Sequence, residues 1–414
     1  MLEAKERRAR TRFSPAVGVQ VLFVLFGMLI AAFFPFFAPF LRSRDLSPEQ
    51  IGSVFSLMAV ARIAMNPWWG HLADTRFGRR TILQIGTVAA AGFALLVFAA
   101  DSRFAFIAPA AMLFTGVGGT LGPNLDAIAL ASLGEERMHR YGFIRAWESL
   151  SYAFMTLLLG LWLSRVGVDR TLFAFAVMAI VIFAWSFTLE RDEPSRSEGH
   201  GRLGAVGTVL RESSRYRAFL AASLLIWTGF AAAWNFIALR IEDSGGGLRT
   251  IGFGLALGGA VEVPVMLSSS RLAARFGLRF TYLLGAVVYA TGFLVWGLLS
   301  SPVLLSLSAV FEGVGFGLLF TSGVAIVGRL VRPALHSTGL SISGTVGFGL
   351  GQILGSLAGG FLYGRFGSVT VYVVASALAF VGAALAALAL DTPLLRRPQE
   401  IEVAPVPPHG SEAG

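Results

Sequence analysis

Gly70-His71-Leu72-Ala73-Asp74-Thr75-Arg76-Phe77-Gly78-Arg79-Arg80 is a short charged loop between two apolar runs, 51–72 and 81–100. Downstream, Ser270-Arg271-Leu272-Ala273-Ala274-Arg275-Phe276-Gly277-Leu278-Arg279 repeats it. The offset is 200 up to Ala274 and 199 afterwards, because Thr75 has no counterpart. Leu159-Gly160-Leu161-Trp162-Leu163-Ser164-Arg165-Val166-Gly167 meets Gly359-Gly360-Phe361-Leu362-Tyr363-Gly364-Arg365-Phe366-Gly367, again at 200. A third pair, Gly116-Val117-Gly118 and Gly313-Val314-Gly315, falls at 197. The chain is a duplicated unit.

That unit is built for a membrane. Hydrophobic residues make up 55% of the 414, charged residues only 14%, and mean hydropathy is +0.71, far too little charge to cover a soluble chain of this length. Without cysteine there is no disulfide framework, thiolate metal site or thiol nucleophile. Crossing a bilayer takes roughly 20 apolar residues. Runs of that length lie at 15–41, 49–72, 80–100, 103–133, 141–164 and 168–190 in the first half. The second half gives 216–240, 249–270, 278–299, 302–331, 336–364 and 368–390. The expected fold is all-α and polytopic, with twelve transmembrane helices in two six-helix bundles, 15–190 and 216–390. Before the first run lies a basic tail, 1–14. Its charge ahead of apolar residues suits a signal peptide, but the run is too long, so a retained first helix is expected. A polar linker, 191–215, joins the bundles, and the proline-rich tail 391–414 is expected to be disordered.

Charge placement sets the orientation. With the N-terminus inside, inner segments hold 23 Lys and Arg and outer segments eight. By the positive-inside rule both termini are cytoplasmic and the protein is a multi-pass protein of the inner, cytoplasmic membrane. The net charge of +9 therefore reports topology rather than a nucleic-acid patch.

A six-plus-six repeat with a long central loop resembles the major facilitator superfamily, and Gly70–Arg80 resembles its loop between the second and third helices. That resemblance implies a cytoplasmic gate made of Gly70, Asp74, Arg76, Gly78, Arg79 and Arg80. The family spacing is one residue shorter; Thr75 is extra. Phe33-Phe34-Pro35-Phe36, Leu46-Ser47-Pro48-Glu49-Gln50-Ile51-Gly52 and Ala61-Arg62-Ile63-Ala64-Met65-Asn66-Pro67-Trp68-Trp69-Gly70 look like the phenylpropionate-permease-like branch. That branch is similar to lactose permease and nucleoside–proton symporters. Arg145-Ala146-Trp147-Glu148-Ser149 resembles its fifth-helix motif, with Glu148 where glycine is usual.

Ionisable residues inside a span cost a few kcal/mol at minimum and are functional candidates by default. Six qualify: Arg62, Asp126, Arg145, Glu148, Glu262 and Glu312. Asp126 on the fourth run and Arg145 and Glu148 on the fifth fall at similar depth. Arg145 and Glu148, three apart, share a helix face. They form either a self-balancing structural cluster or a polar ligand site. The resemblance to lactose permease implies the second, with Asp126 and Arg145 on the substrate. Trp147 beside them offers a ring to stack on a planar solute.

Glu262 follows Gly254 and Gly258 at four-residue steps, which places it at a helix seam. Glu312 stands among Gly313, Gly315 and Gly317. Neither has a cation on its own helix, and desolvation disfavours the charged form of a buried carboxyl. Each is either a neutral structural hydrogen-bond donor or a proton carrier. The related symporters imply the latter for Glu262 and Glu312, with Glu148 next. The five histidines (71, 139, 200, 336 and 409) fall in loops, tails or at the very ends of the runs, so no intramembrane histidine relay is available. Arg62, sharing a face with Asn66, either contacts an anionic substrate or holds a carboxylate on another helix. Ser343, Gly347, Gly351, Gly355 and Gly359 form a small-residue ridge for close packing, and functionally a surface on which the halves slide.

The expected function is secondary active transport of a small organic solute (organic acid, sugar or nucleoside) by alternating access in a monomer, coupled to protons as import. No cofactor, metal or nucleic acid is expected; an ion gradient drives it. The alternative is an efflux antiporter of the same fold, which the lack of proline in the fifth run disfavours. A membrane enzyme lacks a nucleophile–base or metal-ligand cluster.

Overall fold

A computed structural model describes residues 15–100, 102–119, 121–133, 141–189 and 203–396. The tails 1–14 and 397–414, the loop 134–140 and the linker residues 190–202 lie outside it.

Every regular element among the described residues is helical. The first half comprises α1 (Pro15–Ala31), α2 (Phe34–Ser43), α3 (Pro48–Leu72), α4 (Arg79–Ala99), α5 (Phe104–Gly118), α6 (Leu121–Leu133), α7 (Tyr141–Val166) and α8 (Thr171–Ser186). After α9 (Leu203–Glu212), which occupies the expected linker, come α10 (Ser214–Trp234), α11 (Ile237–Asp243), α12 (Leu248–Phe276), α13 (Leu278–Leu298) and α14 (Pro302–Leu307). Then follow α15 (Val310–Leu330), α16 (His336–Gly344), a π-helical stretch Thr345–Gly351, α17 (Gln352–Phe366) and α18 (Ser368–Ala389).

Eleven spans are long and apolar enough to cross a membrane; several join two of these helices end to end. The twelfth expected span, α3, is 25 residues long but falls outside that set. Glu49, Gln50, Arg62, Asn66 and His71 dilute its apolar character. Its start is firmly specified: Ser47 Oγ accepts from the Gln50 amide at 3.3 Å while Gln50 Oε1 accepts from the Ser47 amide at 3.0 Å, with Pro48 at the first helical position.

The duplication is written into the backbone. Asp45 is the one non-glycine residue with positive φ among the described residues, and Gly245 shares that conformation 200 positions on. Gly78 pairs likewise with Gly277, and Gly167 with Gly367. Arg80 staples the start of α4 to the end of α8 through the Leu189 and Phe187 carbonyls, at 2.8 and 3.3 Å. Its repeat-equivalent Arg279 does the same between α13 and α18 through the Ala387 carbonyl, at 2.9 Å.

The halves meet along α3–α17 and α7–α12. At each crossing two glycines bring backbones together: a Cβ on Gly52 would lie 2.9 Å from Gly360 Cα, and one on Gly252 2.8 Å from Gly160 Cα. These positions are again repeat-equivalents. Small residues suit such contacts because apolar lipid gives helices little hydrophobic reason to associate. The ridge Gly347, Gly351, Gly355, Gly359 plays a different part from the expected sliding surface between the halves. It faces Trp227, Thr228, Ala231, Ala232 and Phe236, packing α17 and its π-helical entry onto helices of the same half. Gly349 and Gly360, on another face, meet the first half at Ile63 and Gly52.

Candidate transport site between the halves

Arg145 projects from α7 between two carboxylates. Its Nη1 lies 3.3 Å from Asp126 Oδ1 on α6 and 3.5 Å from Glu148 Oε2 one turn along its own helix. The expected mixed-charge cluster is therefore assembled. One residue beyond Glu148, Ser149 Oγ donates to Glu262 Oε1 of α12 at 3.3 Å, bridging the halves. Glu262 in turn lies within electrostatic reach of Arg145, Glu148 and Glu312. Glu148 and Glu312 are both buried.

The sequence placed Glu262 at a helix seam, and the seam is that of α12 with α15. Gly258 makes room for Glu312 Oε2, which would stand 2.9 Å from a Cβ there, and Gly313 and Gly317 face back towards α12. Four carboxyl groups from α6, α7, α12 and α15 thus share one region with a single guanidinium among them.

A second guanidinium of the first half also reaches the second half. Arg62 Nη2 donates to the Phe348 carbonyl at 2.5 Å, in the π-helical stretch before α17. That stretch widens the turn, a geometry that changes the usual backbone pairing. Gly119 makes room for the Arg62 stem: a Cβ there would lie 3.0 Å from Arg62 Cγ. The alternative in which Arg62 holds a carboxylate on another helix is corrected: among the described residues its partner is a backbone carbonyl.

An aromatic wall that the sequence reading missed closes the second half's side. Phe316 and Phe320 stack at 5.5 Å, Phe348 packs on Trp227 at 4.4 Å, and Phe230 stacks on both Trp234 and Tyr289. Arg145 lies over the Phe320 ring at 5.8 Å, cation–π geometry. Of the two site guanidiniums, Arg145 therefore rests on an aromatic ring of the second half and Arg62 on a backbone carbonyl of it. Spacings of three and four residues (Trp227, Phe230, Trp234; Phe316, Phe320) do mark shared faces. In a chain with 35 phenylalanines, that signal does not stand out.

Trp147 departs from the expectation: two residues from Arg145 it lies on the opposite side of α7, exposed with Leu150, Phe154 and Leu161. A ring on that side is turned away from the guanidinium.

In the Gly70–Arg80 loop, Ala73–Phe77 forms a π-helical turn. A π turn holds one more residue than an α turn, so the extra Thr75 is absorbed there, and its hydroxyl bonds the His71 carbonyl at 2.7 Å. The second half runs straight through the same point as part of α12. Asp74 pairs with Arg79 at 3.2 Å. Both line a crevice of about 120 Å³ with Asn66, Gly70, Ala73, Pro123, Asn124 and Ala127. Arg76 is exposed beside the pair, and Arg80 is the staple described above.

A model of the MFS_1 like family matches residues 19–374. The chain belongs to that family. It is a multi-pass membrane transporter and not an enzyme. The maltose permease of Geobacillus stearothermophilus is 28% identical over 89% of this chain and 93% of its own length. A probable 3-phenylpropionic acid transporter of Escherichia coli K12 is 23% identical over 70% of this chain and 74% of its own. The crystal structure of the nucleoside transporter NupG superposes with a TM-score of 0.80 at 15% identity, covering 92% of this chain and 100% of that one, which supports the fold. The sequence similarity to a maltose permease and to a probable 3-phenylpropionic acid transporter agrees with the resemblance to permeases, and the solved structure agrees with the fold.

Proposed function

We propose that this transporter imports a small, neutral, hydroxylated solute such as a sugar or nucleoside, in symport with protons, across the cytoplasmic membrane. One observation carries the reading: carboxyl groups of both halves meet at one buried seam, where Ser149 touches Glu262 and Glu312 lies behind it. A group that exchanges a proton at the seam can link protonation to the relative movement of the halves.

The charge inventory favours a neutral solute over an organic acid. Asp126, Glu148, Glu262 and Glu312 outnumber Arg145 and Arg62. Arg145 is flanked by two carboxylates and Arg62 is bound to a carbonyl. Carboxylates accept hydrogen bonds from hydroxyls, and half-buried aromatic faces cover the apolar side of a ring. The near full-length similarity to a maltose permease points the same way.

Proteoliposome uptake of maltose, uridine and 3-phenylpropionate under an imposed pH gradient tests this. Accumulation of maltose or uridine that collapses with a protonophore is expected. Expulsion of solute as protons enter would instead support the antiport alternative. Uptake indifferent to pH would reduce the reading to facilitated diffusion.

A further inference from the structure

Two phenol groups stand at the carboxyl cluster with hydroxyls that make no hydrogen bond of normal geometry, although Thr156 lies close to the first and Glu312 close to the second. Tyr152 of α7 and Tyr289 of α13 have fully buried hydroxyl oxygens without a hydrogen-bond partner among the described residues. Tyr289 lies beside Glu312 yet makes no hydrogen bond of normal geometry to it, and Tyr152 lies within electrostatic reach of both Glu312 and Glu262. Backbone glycines make their places. The Tyr152 ring lies 2.9 Å from where a Cβ on Gly259 would stand, next to the Gly258 that admits Glu312. The Tyr289 ring occupies the space that a side chain on Gly315 would need. One tyrosine comes from each half.

A buried hydroxyl left unsatisfied is unfavourable, whereas phenylalanine would fill the same space without that penalty. The hydroxyls therefore make sense in another state of the site. A protonated carboxyl carries its own donor, but a carboxylate can only accept. We infer that Tyr152 and Tyr289 are positioning residues that donate hydrogen bonds to the Glu262–Glu312 pair when it has released its proton. The inference rests on the proton-coupled reading given above. The step is a proton transfer alone: the carboxyl O–H breaks, the proton passes to water, and the two phenol O–H groups turn to the anion.

The groups facing Glu312 are Glu262 from α12, Tyr289 from α13 and Tyr152 from α7, with Arg145 and Glu148 acting on Glu262. From α10, Trp227 and Phe230 cover the Tyr289 ring. Ser149 donates to Glu262, and the two phenols are further hydroxyl donors placed against the pair.

The test needs no solute. Infrared titration of the purified full-length protein follows the C=O stretch of protonated carboxyls, assigned by its loss in Glu312→Gln and Glu262→Gln. In Tyr152→Phe and Tyr289→Phe the band is expected to persist to higher pH, by about one pH unit for one lost hydrogen bond to a charge, and further in the double variant. Bands that titrate identically in the wild type and all three tyrosine variants would overturn the inference. So would a wild-type band that never titrates. Either phenylalanine variant keeps the packing of its ring, so a shifted band reports the lost hydroxyl rather than a disturbed core. Wild-type uptake that ignores pH, alongside a band that still responds to the tyrosines, would sink the coupling reading and leave the donors in place.

Discussion

At the residue scale the site divides between groups that would touch solute and groups that would handle the proton. Arg145 holds Asp126 and Glu148 together at 3.3 and 3.5 Å and lies over Phe320. Removing it leaves the buried Glu148 and the half-exposed Asp126 carboxylates close together without a cation between them, where like charges repel. Arg145→Ala is expected to weaken solute binding at least tenfold, about 1.4 kcal/mol or more, read by equilibrium binding to purified protein. Unchanged affinity would remove Arg145 from the binding group. Glu262→Gln and Glu312→Gln keep the shape of the acid and cannot ionise. At least one should retain exchange of solute across the membrane while losing accumulation driven by a pH gradient. If both still accumulate solute, the proton travels elsewhere, and Glu148, buried beside Arg145, is next.

At the scale of single elements, the π turn Ala73–Phe77 shows what one extra residue does. Deleting Thr75 should convert the turn to continuous α-helix, as in the second half, and rotate Asp74 away from Arg79. Asp74→Asn weakens the same contact without moving the backbone. Both variants are expected to slow turnover and raise accessibility on this face, measured by transport and by labelling of an introduced cysteine. Normal transport and labelling in both would release the turn from any gating part. How legible such features were depends on their cause. The break in the repeat offset at Thr75 was visible in the sequence, because insertions show as register shifts. The carboxyl and arginine cluster was visible because charge in an apolar run is conspicuous. Trp147 was misplaced because adjacency in sequence is not adjacency on a helix: two residues turn a side chain through about 200°. The Tyr152 and Tyr289 hydroxyls and the aromatic wall were hidden, since their meaning arises from separate helices that meet only in the fold.

At the scale of the whole molecule, the duplication makes the end remote from the Gly70–Arg80 loop close on itself. Arg42 Nη1 meets Asp243 Oδ1 at 2.7 Å and Glu242 Oε2 at 3.5 Å, and the Tyr363 hydroxyl donates to Asp243. Arg249 Nε donates to Ser164 Oγ at 2.9 Å, and the Glu49 carboxylate packs against Gly364. Arg42 and Glu242 are 200 positions apart, as are Glu49 and Arg249. A pseudo-twofold brings equivalent positions near its axis face to face, so identical charges there would repel, and this chain carries opposite ones. The Arg42 contact is part-exposed and worth ~1 kcal/mol. Arg42→Ala should therefore shift the balance towards opening of this end by about fivefold. With no cysteine in the sequence, spin labels on a pair such as Ser47→Cys and Ser244→Cys report the distance directly, and a longer-distance population should grow. Arg42→Glu should enlarge it further by setting three carboxylates together. Because Arg42 and Glu242 are repeat-equivalents on matching backbone, Arg42→Glu with Glu242→Arg should bring the short distance back. A double variant that stays as open as Arg42→Glu would mean that the glycine crossings, rather than these charges, hold the end shut.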